Sequence, residues 1–381
     1  MRVGTWTERD QVTIWSRRAH PKKVVIDTQQ DEQGSSITPS FAALQDALAT
    51  TGQWHELTVC SFPSENMASH LSFQLAMPMD VLRSLYVEAG CVLSPSFTHL
   101  LGLIPTDGPL TELGLHSSFA TTYFLQPSWF PALQNLTVLI VNGRDIHEPF
   151  DLLPAFTQLR TFEAYRLPLP LFELDTDLPL LHTLQKLQLR ASSVQWMAGR
   201  QFSCLEECAI FLPCHWEAVW QQEVQLPSCR KFAYHGYPMT TAQYFHAPQM
   251  RAMELRAHDC KRKRVYQQLR NLCTMDGRIS RLSALHLTLQ CSEQVLVEVL
   301  RYLGPLQELV LSISHPSYSW KSFLESLAAK PSRNDYHDWS QSHDWEEWCS
   351  SQTWHANILP HLKYLGIRCL KRSSHSEYLD D

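Results

Sequence analysis

The chain's 381 residues exceed the usual size of one compact core two- to threefold, leaving two or three globular domains or one elongated repeat architecture. Hydrophobic residues at 44% and charged residues at 18% exclude a disordered chain, and only 13 glycines leave little for phosphate-cradling loops. A net charge of −6, from 32 Lys and Arg against 38 Asp and Glu, gives no global attraction to nucleic acid or to an anionic membrane.

The N-terminus, MRVGTWTERDQ, carries charges where a signal peptide needs an apolar core, and nowhere do 18 apolar residues run together. Neither secretion nor a membrane span is expected. The first periodic segment is 39–50, where Thr38 can cap a helix, Pro39 fits its first position, and Phe41, Leu44 and Leu48 fall on one face. From there a frame L-x-x-L-x-L, with apolar substitutes, recurs. It is met at Trp54/Leu57/Val59, Leu82/Leu85/Val87, Leu110/Leu113/Leu115, Leu136/Leu139/Val141, Leu159/Phe162/Ala164 and Leu184/Leu187/Leu189. It continues at Leu205/Cys208/Ile210, Cys229/Phe232/Tyr234, Met250/Met253/Leu255, Leu282/Leu285/Leu287, Leu306/Leu309/Leu311 and Leu362/Leu365/Ile367.

Successive first positions lie 28, 28, 26, 23, 25, 21, 24, 21, 32, 24 and 56 residues apart. Nine of the eleven fall within the ~20–29 residues of leucine-rich repeats. Between frames, apolar residues three and four apart predict helices at Phe97/Leu100/Leu101/Ile104, Val265/Leu269/Leu272 and Leu296/Val299/Leu300/Leu303. From 136 to 250 the connections are shorter and richer in proline, so extended or single-turn returns are expected there. The predicted architecture is an α/β solenoid, an irregular leucine-rich-repeat horseshoe with a parallel concave sheet and helices or extended segments on its convex side.

Four regions follow. Residues 1–53 form an N-terminal capping strand and first helix, 54–314 the irregular repeats, 315–361 a Trp-rich insertion or atypical repeat, and 362–381 the last strand and tail. The ninth frame position, where the common repeat places Asn or Cys against the turn backbone, holds neither in any of the twelve repeats, so no buried asparagine ladder is expected.

The pattern of chemistry-bearing residues is sparse. Eleven cysteines without a CxxC pair read as reduced thiols of a cytoplasmic or nuclear protein. Asn135-Leu136-Thr137 matches a glycosylation sequon that a chain never exported would not use. Nucleotide, zinc-protease and nucleophile-elbow motifs do not occur. Glu173, Asp175 and Asp177 read as an exposed acidic loop rather than a cation site, and His258-Asp259-Cys260 as adjacent residues unable to form a relay. Cys204, Cys208, Cys214 and His215 lack paired zinc spacing, and Cys208 falls on a core position. Lys261-Arg262-Lys263-Arg264 reads as a solvated loop and helix start, with a nuclear-import signal as the sharper alternative. Trp320, Trp339, Trp345, Trp348 and Trp354 serve equally well as anchors of an insertion or as interaction hot spots. No enzyme activity, cofactor or metal is expected.

Side chains alternate along a strand, so frame positions three, five and seven face away from the core. Their identities make a candidate partner-binding face: Glu56, Tyr86, Glu88, Glu112, His116, Asn142, Glu163 and Tyr165 in the earlier repeats, then Lys186, Arg190, Phe211, Lys231, His235, Arg256 and His286. The earlier part is acidic. The later part is mildly basic, its Lys and Arg residues standing against Glu207, Glu254 and Glu308. Mixed aromatic and charged residues suit a protein partner better than nucleic acid, which favours a continuous basic stripe.

Several phrases, "QVTIWSRRAHPKKVVIDTQ", "LTVLIVNG", "LPAFTQLRTFEA" and "ILPHLKYLGIRC", resemble the leucine-rich-repeat region of the large F-box family of mushroom-forming fungi. The resemblance implies a first strand at Val24–Thr28, irregular repeats, and recognition of a protein substrate for ubiquitination. Residues 1–23 depart from it, lacking a proline-leucine-proline-rich F-box. Either an F-box lies upstream, giving docking to a ubiquitin-ligase adaptor, or the chain is a stand-alone leucine-rich-repeat scaffold.

Overall fold

The computed structural model describes residues 2–4, 23–27, 55–60, 81–89, 108–117, 134–142, 156–167, 180–191, 197–212, 222–236, 242, 244–256, 281–289, 296–297, 300, 305–313, 323, 359 and 361–369. The chain divides into two compact units. The first comprises Met1–Met197 with Phe202–Leu205, and the second Ala198–Gln201 with Glu206–Asp381.

Unit 1 carries eight strands: β1 (Arg2–Gly4), β2 (Lys23–Asp27), β3 (Glu56–Cys60), β4 (Ser84–Ala89), β5 (Glu112–Ser117), β6 (Val138–Asn142), β7 (Thr161–Leu167) and β8 (Lys186–Ala191). Each pairs in parallel with the next in sequence, as a solenoid requires. One four-residue helix, α1 (Leu180–Thr183), precedes β8. The strand implied at Val24–Thr28 corresponds to β2, Lys23–Asp27, and one strand precedes it, with Val3 opposite Ile26.

In unit 2, β9 (Glu207–Phe211), β11 (Lys231–His235), β13 (Ala252–Arg256), β14 (Ala284–Leu289), β15 (Glu308–Ile313) and β16 (Tyr364–Cys369) form a parallel sheet in that order. The short β10 (Val224–Gln225) and β12 (Phe245–His246) pair separately on the returns between frames. The proline-rich connections there are therefore partly extended. The architecture is a parallel β-solenoid with little helix among the described residues.

The frame's period is the structure's register. Leu85, Leu113, Leu139, Phe162 and Leu187 stand opposite one another on successive strands of unit 1. Cys208, Phe232, Met253, Leu285, Leu309 and Leu365 do so in unit 2. With the exception of Leu365 these residues are buried, as are the frame's first positions from Leu82 to Leu306. Strands β6, β9 and β13 alternate between half-buried and buried side chains, since a period of two sends neighbours to opposite faces. The last frame is looser, with Ile367 37% exposed. Leu296, Val297 and Leu300 are helical and buried, which gives part of the predicted stripe before β15; Val299 and Leu303 lie outside the described residues. The predicted helices at 39–50, 97–104 and 265–272 lie outside them too.

In place of an asparagine ladder, the described residues show a backbone ladder. In ten of the twelve frames, all but those of Gln185 and Lys363, the carbonyl of the second residue accepts two N–H groups from the next repeat. Thr111 O, for example, receives Thr137 N at 2.8 Å and Val138 N at 3.0 Å, and Arg251 O receives Ser283 N at 2.8 Å and Ala284 N at 3.1 Å. Hydroxyls reinforce it at Thr111, Thr137 and Ser283. Strand entry is thereby fixed without side chains of one conserved type at the turn.

Candidate partner-binding face

The residues opposite the core make the face, and in unit 1 they interact across strands. Ser84 and Tyr86 on β4 both reach Glu112 on β5. Ser84 Oγ donates to Glu112 Oε2 at 2.5 Å, and the Tyr86 hydroxyl donates to the same oxygen at 3.3 Å. Tyr86 takes that position because Gly114 lies beside it. A Cβ on Gly114 would sit 2.2 Å from Tyr86 Cδ1, so the ring rests against the bare backbone of β5. Burial raises the Tyr86 hydroxyl's pKa above its ordinary value, with the Glu112 charge and hydrogen bond next and the charges of Glu163 and Glu56 adding to it.

Two strands further along, Tyr165 donates to Glu163 Oε2 at 3.2 Å, and the Lys186 ammonium pairs with Glu163 Oε1. Burial first, then the Glu163 charge and hydrogen bond, pushes the Tyr165 pKa up to about 12. Glu163 is well covered, its side chain 14% exposed, whereas Lys186 remains 42% exposed. Arg190 is exposed and Asn142 half-buried. The backbone register sets Glu88 opposite His116; their side chains lie outside the described residues.

In unit 2 every carboxylate of the face that is described meets a Lys, Arg or His side chain from its own or a neighbouring strand. Lys231 pairs with Glu207, His286 Nε2 lies 3.0 Å from Glu308 Oε1, and Glu254 Oε1 lies 2.9 Å from His235 Nε2 and 3.7 Å from Arg256 Nη2. His235 is 9% exposed and its ring meets Phe211 edge-on at 4.3 Å. The His235–Glu254 approach is close in distance but poorly directed, so His235 Nε2 and Arg256 Nε are buried without a hydrogen-bond partner in good geometry among the described residues. The contact to His235 holds the Glu254 carboxyl below its ordinary value, against the opposing effect of burial, with the charges of His235, Arg256 and His286 helping.

The face thus brings together Tyr86 with Glu112, Glu163 with Tyr165 and Lys186, and Phe211 with His235 and Arg256. Ser84 and Gly114, both essential to the geometry around Glu112, were not among the sequence's candidates. Neither carries a signal by type alone, although their frame positions, three and five, placed them on the face. Glu207, Glu254 and Glu308 were read as face charges but left out of the candidate set. Their roles depend on which residue stands opposite, and that needs register.

Among the remaining groups, Cys208 is buried and Cys204 exposed, so the two do not share one environment. No group of three or more His, Cys, Asp or Glu side chains is placed to hold a metal among the described residues. Asn135 Nδ2 of the sequon donates to Gly108 O at 3.4 Å. Residues 173–177, 258–264, Cys214, His215 and the five tryptophans lie outside the described residues. No helix among the described residues is long and apolar enough to cross a membrane. Neither the protein-family models nor the curated proteins searched give a match to this chain.

Proposed function

We propose that the chain is a non-catalytic protein-interaction module of the leucine-rich-repeat type, resembling the substrate-recognition part of an F-box ubiquitin-ligase receptor. The observation that carries the reading is the in-register division of the parallel strands. One side is a continuous apolar core and the other a row of tyrosines, carboxylates, histidines and basic residues held by contacts between strands. Such a surface offers aromatic area beside polar and charged groups oriented by contacts between strands, features of protein interfaces. Alternating charge signs do not suit a nucleic-acid backbone, and the free thiols of Cys204, Cys208 and Cys229 agree with a cytoplasmic or nuclear setting.

The test is affinity purification of the native protein from its own cells, beside a variant with Glu88→Lys and Glu112→Lys. A partner recovered together with the cullin adaptor and lost on charge reversal supports the receptor reading. A partner lost on reversal without any adaptor supports the stand-alone scaffold. Capture unaffected by reversal removes the face from the mechanism.

A further inference from the structure

The face carboxylates differ in their neighbours. Glu207, Glu254 and Glu163 each have a Lys or Arg side chain beside them, respectively Lys231, Arg256 and Lys186. Glu112 does not. Its partners among the described residues are two neutral hydroxyls, Ser84 and Tyr86, both donating to Oε2. Hydroxyl donors orient a carboxylate and lower the cost of its desolvation, but they leave its charge uncompensated. Beside it lies the half-buried Tyr86 ring, packed against Gly114 of β5. An aromatic face next to an oriented, uncompensated carboxylate is the chemistry that receives a Lys or Arg side chain, the cation meeting the carboxylate while its flat or aliphatic part lies on the ring.

Building on the proposal that the sheet is a partner-binding face, we infer that unit 1 recognises a basic side chain of an extended protein segment, seated on the Tyr86 ring with its cation on Glu112. The ring and carboxylate are positioned before the partner arrives, so little ordering cost attends binding.

The probe is a short dye-labelled peptide alternating Arg with Ser, compared with the same peptide carrying uncharged citrulline for Arg, measured by fluorescence anisotropy on the full chain at low ionic strength. The Arg peptide should bind at least about tenfold more tightly than the citrulline peptide, the size expected for one charge-assisted hydrogen-bonded pair. Glu112→Gln should remove most of that preference, and Tyr86→Leu should weaken binding similarly. Tyr86→Phe, which keeps the ring and removes the hydroxyl, should retain most of the affinity. Glu206→Gln, an exposed charge on unit 2, serves as control and should change nothing. Far-ultraviolet circular dichroism checks each variant's fold, and the isosteric Glu112→Gln decides the matter if Tyr86→Leu fails to fold.

Equal binding of the two peptides, or an equal loss with Glu206→Gln, overturns the inference. If a native partner is captured through the face while the Arg peptide is not preferred, the inference falls and the interaction-module reading stands. If neither occurs, both fall.

Discussion

Glu254 shows how one contact sets the acid response of a sheet face. Its carboxyl titrates below the ordinary 4.5 because His235 stands against it, with Arg256 and His286 helping. A depressed folded-state value means that the ionised carboxylate stabilises the fold. That contribution is complete above the unfolded value of 4.5 and is lost as pH falls through the lower folded value. We expect the urea midpoint to fall on acidification below about pH 4.5, with a smaller part of that fall remaining in Glu254→Gln; identical pH profiles would contradict the assignment. Tyr165 gives the opposite sign. With a folded value of about 12, it contributes stability present below pH 10 and lost as pH rises toward 12. Ultraviolet titration should find its ionisation above that of a free tyrosine, and Glu163→Gln should bring it part of the way back, since burial, the largest cause, persists. The thiols separate by burial as well. Burial pushes Cys208 well above the ordinary range and Cys229 up to about 12, while Cys204 is exposed. Of these three, only Cys204 should be alkylated in the native protein, as peptide mass spectrometry would show; labelling of Cys208 before unfolding would contradict its core position. Little of this residue-scale detail was legible in the sequence. Alternation identified Tyr86, Glu112, His235 and Arg256 as face residues, but pairings such as Ser84 with Glu112 depend on the stagger between strands 28 residues apart.

At the scale of the strand and its entry, the sequence was far more informative, because the frame repeats one physical requirement. Positions four and six must point into the core, and no slip of one residue is tolerated when it would turn the whole apolar set outward. Hence Leu113, Leu139, Phe162 and Leu187 fall into register as their spacing indicated. The backbone ladder could not be read in the same way, since it uses the carbonyl of whichever residue stands second in the frame, as different as His55, Thr111, Glu206, Arg251 and Gln307. Type is irrelevant there, so no side-chain pattern announces it. The arrangement is testable at Arg160, an exposed residue whose N–H donates to Thr137 O at 2.9 Å. Arg160→Ala should leave stability within about 0.5 kcal/mol of the parent, as exposed substitutions usually do. Arg160→Pro removes the donor and should cost roughly 1–3 kcal/mol, read from chemical denaturation, because the ladder is broken at a strand entry. Equal effects of the two substitutions would mean that the ladder bond contributes nothing.

For the molecule as a whole, the decisive property is that every strand of each sheet finds its neighbours in the adjacent repeats rather than far along the chain. Stability in such a solenoid is a sum of repeat terms and nearest-neighbour terms, so damage should spread by proximity. Phe162 offers the sharpest probe in unit 1. It is fully buried on β7, opposite Leu139 of β6 and Leu187 of β8. Phe162→Ala should destabilise unit 1 by about 3–5 kcal/mol through lost burial and the cavity left behind. Hydrogen exchange should then rise most in β6, β7 and β8, less in β4, and least in β2, since each interface passes on only part of the perturbation. A globular core with long-range contacts would instead lose protection everywhere at once, because its strands share a single cooperative interior. Graded exchange along unit 1 would therefore establish in solution the repeat-by-repeat energetics that the register implies, while uniform exchange would show that the repeats melt as one body despite their serial pairing.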